Sequence, residues 1–164
     1  MKTLYIVRHA KSSWKDDSLD DFDRPLNKRG NRDAPAMAER LKKANVKPDM
    51  LISSPANRAL LTANYIAQGI GVKQEDIRTD EDMYLADPQT ILNIAKQVSD
   101  DVNTLMIFGH NPGLTMFANE VADTDIDNIP TTGIVRVSFA AKKWKELDWG
   151  KGNLVYFDYP KNKR

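Results

Sequence analysis

The chain contains two histidines, His9 and His110, and each follows an apolar run by two positions. Residues 4–7 and 104–108 form these runs, which are typical of strands buried on both faces of a sheet. Ligands of open α/β sheets bind outside the carboxyl ends of the strands, so neighbouring strands would bring both imidazoles to one crevice. A single histidine at a strand end is more often incidental than catalytic. The matching positions of the two histidines favour a functional site.

Two arginines are expected to join the histidines. Arg8 directly precedes His9, and Arg58 falls in the first turn of the helix predicted after an apolar strand at residues 50–52. Guanidinium groups bind phosphate oxygens with two parallel hydrogen bonds, so two arginines beside two imidazoles suit a phosphoryl group. The alternative for Arg58 is a surface ion pair. The alternative for the histidines is a metal site, which the adjacent arginines disfavour because they would repel a dication.

These residue types favour phosphoryl transfer through a covalent intermediate. A neutral imidazole can attack phosphorus with one ring nitrogen while the other donates a hydrogen bond to a carbonyl. The charge of the transferring phosphoryl group spreads over three oxygens, so catalysis consists mostly of positioning and cationic stabilisation. On this hypothesis His9 becomes a phosphohistidine, and water then releases the phosphate.

The elements that would position these residues alternate between strands and helices. Four helix start signals precede apolar residues at helical spacing: Asn27, Ser54-Pro55, Asp87-Pro88 and Asn111-Pro112. Within the first of these helices, Pro35 predicts a kink or a late start. The alternation predicts an α/β fold with a mainly parallel sheet and helices on both faces. After Pro130, residues 134–139 and 154–157 predict strands joined by a hairpin, which add antiparallel pairing at one edge.

The composition excludes several classes of protein. A length of 164 residues favours one domain spanning 1–164, and a formal net charge of +1 gives no general attraction to nucleic acid or membranes. Cysteine is absent, which excludes disulfides, thiolate chemistry and cysteine-based zinc sites. The apolar run before Arg8 is too short for a secretory signal, and no run approaches the length of a membrane span. A cytoplasmic protein is expected. The aspartates crowded within residues 16–23 form either a solvated loop or a surface for a basic partner.

Four segments together resemble the histidine phosphatase superfamily. In the order typical of that family, they are Arg8-His9-Ala10-Lys11-Ser12, Arg24-Pro25-Leu26-Asn27-Lys28-Arg29-Gly30, Ser53-Ser54-Pro55 with Arg58-Ala59 and Thr62-Ala63, and Gly109-His110-Asn111-Pro112-Gly113. The Arg-His pair alone is a weak signal, whereas the four segments span most of the chain as far as Thr132. The small size of the chain and the sequence of residues 11–26 resemble the compact SixA-type phosphohistidine phosphatases.

The resemblance implies a three-layer α/β sandwich of the phosphoglycerate mutase-like type, with His9 as the phosphorylated nucleophile. Arg8, Arg58 and His110 would complete the catalytic phosphate-binding pocket, which would use neither a metal nor an organic cofactor. Larger relatives carry a catalytic glutamate, and the candidate acid here is Asp82, which could equally belong to a solvated acidic pair. An acid matters less if the leaving group is an imidazole, because its ordinary pKa of about 6.5 makes it a fair leaving group.

The sequence therefore predicts a metal-independent phosphatase that acts through phospho-His9 on a phosphorylated protein, with phosphohistidine favoured, or on a small phosphomonoester. Without the lid insertions of larger relatives the site should be shallow, which suits a phosphorylated protein side chain. A mutase of the same superfamily is the second hypothesis, and the missing insertions count against it. A module that binds phosphorylated proteins without turnover is the third, and it would usually have lost His9 or an arginine. Neither nucleic acid nor a membrane is expected as a partner, and a monomer is expected.

Overall fold

A computed structural model of the chain describes residues 1–162, which form one six-stranded sheet and four α-helices. Lys163 and Arg164, the end of the predicted domain, lie outside the described residues. The strands are β1 (Lys2–Arg8), β2 (Met50–Ser53), β3 (Ile77–Thr79), β4 (Thr104–Gly109), β5 (Ile134–Phe139) and β6 (Gly152–Asp158). The helices are α1 (Lys28–Lys43), α2 (Asn57–Ile70), α3 (Pro88–Lys96) and α4 (Gly113–Ala122), with short 3₁₀ helices at Asp21–Asp23, Gln74–Asp76, Glu81–Met83 and Trp144–Glu146. Among residues 1–162, none of the helices is long and apolar enough to span a membrane.

The sheet has the strand order β3-β2-β4-β1-β5-β6. Strands β3, β2, β4 and β1 are parallel, whereas β5 runs antiparallel to β1 and β6 runs antiparallel to β5. The predicted mainly parallel sheet with antiparallel strands at one edge is confirmed. Strand β3 was not predicted, because its three residues include no apolar run. The register of β1 and β4 sets Arg8 opposite Gly109, so His9 and His110 leave the sheet side by side.

Two helices cover each face of the sheet. Alternate residues of β1 show this arrangement, since Tyr5 and Val7 belong to the apolar cluster that α1 and α2 cover. Leu4 and Ile6 belong to the cluster covered by α3 and α4. Each large apolar side chain buried in these clusters stabilises the fold by about 1.5–3 kcal/mol. The three-layer α/β sandwich is confirmed, and its two cores hold the strand ends in place.

Side-chain caps start two of the helices as predicted. The side-chain oxygen of Asn27 accepts a backbone N–H of α1, and that of Asp87 accepts a backbone N–H of α3. Helix α1 begins at Lys28 and continues through Pro35, so the prediction of a late start was wrong. Pro35 lies on the exposed face of α1, where water can bind the carbonyl whose helical partner is missing.

The start of α2 differs from the prediction. Ser54 and Pro55 precede the helix, and Ala56 takes the N-cap position instead. The Ser54 hydroxyl accepts the backbone N–H of Ala56 at 3.2 Å and also bonds His110, so it is engaged outside the helix. Assigning the cap to Ser54 and the first turn to Pro55 was therefore wrong. Arg58 nevertheless lies in the first turn of α2, as predicted.

Two glycines allow helices to begin against loops near the histidines. A Cβ atom on Gly30 would lie 2.2 Å from the carbonyl oxygen of Lys11, and one on Gly113 would lie 1.8 Å from that of Ala86. No side chain can approach a carbonyl oxygen so closely, and only glycine permits this packing. These contacts fix the starts of α1 and α4 against the loops beside the strand ends.

Candidate active site

His9 and His110 lie together at the carboxyl ends of β1 and β4. Their ring centroids are 5.3 Å apart and their planes are inclined by 48°. His9 is 7% exposed and His110 is 3% exposed. The backbone N–H of His9 donates to the carbonyl of Gly109 at 3.2 Å, which ties the two strand ends together. The structure thus brings together the two imidazoles that the sequence analysis singled out.

The two ring nitrogens of His9 have different environments. Nδ1 lies 2.7 Å from the carbonyl oxygen of Ala10, which can only accept a hydrogen bond, so Nδ1 carries the proton. Nε2 therefore bears the lone pair. Burial and the charges of Arg58 and Arg8 lower the pKa of His9 to about 4, against a smaller opposing effect of the bond to Ala10. At neutral pH the imidazole is uncharged, and its Nε2 can act as a nucleophile.

His110 presents an N–H group instead. Its Nε2 lies 2.7 Å from the Ser54 hydroxyl. That hydroxyl accepts the N–H of Ala56, and within residues 1–162 its own hydrogen has no other acceptor than Nε2, so the hydroxyl donates to Nε2 and the imidazole proton resides on Nδ1. Nδ1 is buried and has no hydrogen-bond partner within residues 1–162. Burial, and then the neighbouring His9 and Arg58, lower the pKa of His110 to about 3, so the ring is a neutral donor.

The neutral state of both imidazoles predicts a pH dependence of stability. The unfolded chain binds a proton on each histidine below about pH 6.5, whereas the folded chain does so only near pH 4 for His9 and pH 3 for His110. The unfolded state holds more protons in this window. The contribution of the two neutral imidazoles to the free energy of unfolding is therefore fully present above about pH 6.5 and is lost progressively as the pH falls. We expect the free energy of unfolding in urea to change by up to roughly 1 kcal/mol per pH unit for each imidazole.

The measurement is urea unfolding between about pH 5 and 6.5, a window above the ordinary pKa of carboxyl groups. A double variant, His9→Gln with His110→Gln, should lose most of the slope while every carboxyl group is kept. A wild-type profile that is flat across this window would contradict the neutral assignment of the two rings.

Arg8 and Arg58 lie close enough to the imidazoles for their charges to lower both histidine pKa values. Nη1 of Arg8 donates to the carbonyl of Ile129 at 3.0 Å. Nη1 and Nη2 of Arg58 donate to the carbonyl and the carboxylate of Asp21, at 2.7 and 3.0 Å. The Nε atoms of both arginines are buried and have no partner in the described part of the chain. With Nδ1 of His110, they are donors suited to the oxygens of a phosphoryl group.

Buried hydrogen bonds fix the backbone on both sides of His9. The Thr62 hydroxyl accepts the N–H of Ala10 at 2.8 Å and donates to the carbonyl of Arg58 at 2.8 Å. It therefore joins the end of β1 to the first turn of α2. The backbone N–H of Thr132 donates to the carbonyl of His9 at 3.1 Å. The relative positions of the imidazole and the guanidinium are thus set by the backbone as well as by their own contacts.

Asp21 is the residue near the site that the sequence analysis missed. Besides Arg58, its carboxylate accepts Nε and Nη2 of Arg24, at 3.2 and 2.9 Å, and the hydroxyl of Tyr84 at 2.5 Å. Burial would raise the pKa of Asp21, but the hydrogen bonds from Tyr84 and Arg24 and the charge of Arg58 together hold it well below its usual range. In the sequence, nothing distinguishes Asp21 from the other aspartates within residues 16–23.

Tyr84 connects this acidic loop to the histidines. Its ring meets the ring of His110 edge-on, with centroids 5.5 Å apart and planes at 84°. On its other side it meets Phe22 in the same manner, at 5.2 Å. The loop is therefore packed against the site through aromatic contacts as well as through the carboxylate of Asp21.

Asp82, the candidate acid, is not bonded to any member of this group in the described residues. It is exposed on the 3₁₀ helix Glu81–Met83, where its backbone N–H donates to the Asp80 carboxylate at 2.9 Å. Within residues 1–162, no hydrogen bond or ion pair joins its carboxylate to either histidine or to the two arginines of the site. The same part of the chain holds no group of three or more histidine, aspartate or glutamate side chains that could bind a metal ion.

Two buried imidazoles lie with two arginines at the carboxyl edge of an α/β sandwich, and guanidinium groups suit the oxygens of a phosphoryl group. The sequence model of the histidine phosphatase superfamily (branch 1) matches residues 4–84. The chain belongs to the histidine phosphatase superfamily. Family, fold and pocket together support a phosphatase activity.

Relatives of the chain differ in sequence identity and in how much of the chain they match. An uncharacterized protein of Mycobacterium leprae is 32% identical over 94% of this chain and 100% of its own length. A solved structure from Agrobacterium tumefaciens, assigned as a phosphohistidine phosphatase SixA, has a TM-score of 0.83 at 26% identity, covering 97% of this chain and 98% of that one. A 2,3-bisphosphoglycerate-dependent phosphoglycerate mutase of Brucella anthropi is 35% identical over 51% of this chain and 41% of its own length. The chain therefore has the compact SixA-type form of the superfamily.

Proposed function

We propose that the protein is a metal-independent phosphatase that forms a phosphohistidine on His9. Nε2 of His9 attacks the phosphorus of the substrate, the bond from phosphorus to the leaving group breaks, and an Nε2–P bond forms. Water then attacks the phosphorus, the Nε2–P bond breaks, and inorganic phosphate leaves. One observation carries this proposal: the buried ring of His9, with its lone pair on Nε2, lies beside the ring of His110, and the buried Nε atoms of Arg8 and Arg58 and Nδ1 of His110 have no partner in the described residues.

The three other residues of the pocket would bind the phosphoryl group. The Nε–H groups of Arg8 and Arg58 and the Nδ1–H group of His110 are the donors for its oxygens. Charge on these oxygens grows as the leaving group departs, and donors that are already fixed in place need no reorganisation at that moment. Burial is the main cause of the lowered pKa of His9, and the charges of the two arginines add to it, so the charges that bind the phosphoryl group also help to keep the nucleophile unprotonated.

We infer that protein phosphohistidine is the favoured substrate. The carboxylate of Asp21 is ionised and engaged by its donors, and no hydrogen bond or ion pair within residues 1–162 ties the exposed Asp82 to the imidazoles or the two arginines, so neither is an established acid for a leaving oxygen. When the second ring nitrogen of the phosphohistidine carries a proton, breaking the N–P bond releases neutral imidazole, whose conjugate acid has an ordinary pKa of about 6.5, so no strong acid is needed, whereas an alkoxide needs one. The SixA assignment of the Agrobacterium tumefaciens structure supports the same substrate.

Rapid-quench labelling tests the function. A phosphohistidine-bearing protein domain labelled on phosphorus is mixed with the enzyme, and acid-labile phosphate is mapped by peptide analysis. We expect label on His9, formed and discharged at the rate of turnover, and none on His110, the only other histidine in the chain. We also expect kcat/KM to fall from phosphohistidine to aryl phosphates and again to alkyl phosphates, in the order of leaving-group pKa.

Other outcomes would replace the proposal. Binding of the phosphorylated domain with neither label nor released phosphate would indicate a binding module. Isomerised phosphoglycerate as the product would indicate a mutase. Faster turnover of alkyl phosphates than of phosphohistidine would indicate a small-molecule phosphomonoesterase that contains an acid.

A further inference from the structure

Asp21 occupies the two terminal nitrogens of Arg58 and leaves another edge of the guanidinium free. Nη1 donates to the Asp21 carbonyl at 2.7 Å, and Nη2 donates to its carboxylate at 3.0 Å. A guanidinium carries five N–H groups in a rigid plane, so a partner at Nη1 and Nη2 leaves Nε–H and the second N–H of Nη2 on a separate edge. Nε of Arg58 is buried and has no partner in residues 1–162.

Asp21 is itself held by contacts that do not involve this guanidinium. Arg24 donates two hydrogen bonds to one carboxylate oxygen, and Tyr84 donates to the other. Arg24 is in turn fixed, because its Nη1 donates to the Ser12 hydroxyl at 2.7 Å and its guanidinium carbon lies 3.5 Å from the ring centroid of Trp14. Because Arg24 and Tyr84 hold the carboxylate of Asp21 in place, this carboxylate can fix the orientation of the Arg58 guanidinium.

Arg8 shows the same arrangement with a different anchor. Its Nη1 donates to the carbonyl of Ile129 at 3.0 Å, while its Nε is buried and without a partner in the described residues. Both arginines of the pocket are therefore tethered at the tip of the side chain, and both keep Nε–H available. The anchor of Arg8 is a backbone carbonyl, whereas the anchor of Arg58 includes a side chain that can be replaced.

We propose that Asp21 is a positioning residue, which holds the tip of Arg58 so that its Nε edge binds the phosphoryl group. This inference deepens the proposed function and rests on it for the identity of the bound group. The competing interpretation is that Asp21 occupies the phosphate site and must be displaced by substrate. Displacement would break the bonds from Arg24 and Tyr84 as well as those from Arg58, and would leave a carboxylate next to the incoming anion.

Binding of inorganic phosphate separates the two interpretations without requiring turnover. Removing a negative charge near an anion site should by itself strengthen phosphate binding, since like charges repel. Loss of the orientation of the Arg58 guanidinium should have the opposite effect and weaken phosphate binding, because small misplacements of a positioned group weaken its interactions strongly. We expect Asp21→Ala to weaken the affinity for inorganic phosphate about tenfold, and Asp21→Asn, which keeps an acceptor oxygen, to weaken it less.

The readout is an NMR titration that follows the Nε–H resonance of Arg58, identified by its loss in Arg58→Lys. In the wild-type protein this resonance should shift on addition of inorganic phosphate.

Asp23→Ala is the matched control, because it removes the same charge from the same 3₁₀ helix without removing any donor of the pocket. In an Arg58→Ala background, Asp21→Ala should cause no further loss of affinity, since Asp21 acts through Arg58.

Equal or tighter phosphate binding by Asp21→Ala and Asp21→Asn would overturn the inference and favour competition for Arg58. An additive loss in the Arg58→Ala background would also overturn it. If Asp21→Ala does not fold, Asp21→Asn carries the same comparison against Asp23→Asn. A wild-type protein that shows these binding effects without any turnover would refute the proposed function alone, whereas normal turnover with no effect of Asp21 would refute only this inference.

Discussion

His9→Ala is expected to lower turnover by about 10⁶-fold, the order of loss seen when a covalent nucleophile is removed. Nε2 of His9 is the ring nitrogen of the pocket with a free lone pair, because Nε2 of His110 is bonded to Ser54 and its Nδ1 carries the proton. His110 is the only other histidine in the chain, and with Nε2 bonded to Ser54 and a proton on Nδ1 it has no free lone pair with which to take over the reaction. Phosphate release and acid-labile label should both vanish in rapid-quench experiments.

His9→Asn is the matched variant, because its amide N–H can still donate to the carbonyl of Ala10 while it lacks a nucleophilic nitrogen. Both variants should still bind inorganic phosphate, since Arg8 and Arg58 are anchored by Ile129 and Asp21 rather than by His9. Turnover within tenfold of wild type in either variant, or label on another residue, would refute the role of His9.

The sequence was sufficient to place the two imidazoles and the two arginines near them, since Arg8 directly precedes His9. A run of apolar residues that ends at a polar residue predicts where a buried strand ends, and a few consecutive residues are enough for this prediction. Residues 4–7 and 104–108 therefore located His9 and His110, and parallel pairing of neighbouring strands brought them together. The position of Arg58 followed in the same way from a strand and the first turn of the next helix.

The surroundings of the site could not be predicted, because they depend on contacts between distant segments. Asp21 meets Arg58 and Tyr84 through the packing of a loop with no periodic pattern. Asp82 was chosen by its closeness in sequence to the position of a family acid; it is exposed on a short 3₁₀ helix, and its role as the acid stays a prediction. Ser54 has the sequence context of a helix cap, and its contact with His110 depends on the neighbouring strand.

The charge states of the site residues follow from their burial and from the charged groups next to them. Burial removes the charge from both imidazoles, and the two guanidinium groups reinforce this effect. Asp21 stays ionised because several donors surround it. The result is a pocket with a neutral nucleophile, cationic donors and an ionised carboxylate at the tip of one arginine. These are the properties that the substrate proposal uses, since the proposed transfer requires a neutral nucleophile, cationic donors and a leaving group that needs little protonation.

Arg58→Ala is expected to lower kcat/KM by about 100-fold, equivalent to about 3 kcal/mol of transition-state stabilisation. The reason is the loss of a buried donor from the pocket in which phosphoryl charge develops, together with the loss of the group that Asp21 orients. Arg58→Lys keeps the charge without the planar fork and should recover only part of the loss. The pKa of His9 should also rise in Arg58→Ala, because one of the charges that depress it is gone.

Arg78→Ala provides the control for this series, since Arg78 is an exposed arginine on β3 whose Nη1 contacts the sulfur of Met50. Its kcat/KM should stay within twofold of wild type, which would show that removing one positive charge is not by itself harmful. Steady-state kinetics with a phosphohistidine-bearing domain measures the three variants, and NMR titration of His9 gives the change in pKa. Near-normal rates in Arg58→Ala, or full recovery in Arg58→Lys, would show that the guanidinium fork does not bind the phosphoryl group. A loss confined to Arg58→Ala and partly recovered by lysine would establish both parts of the role, the charge and the geometry.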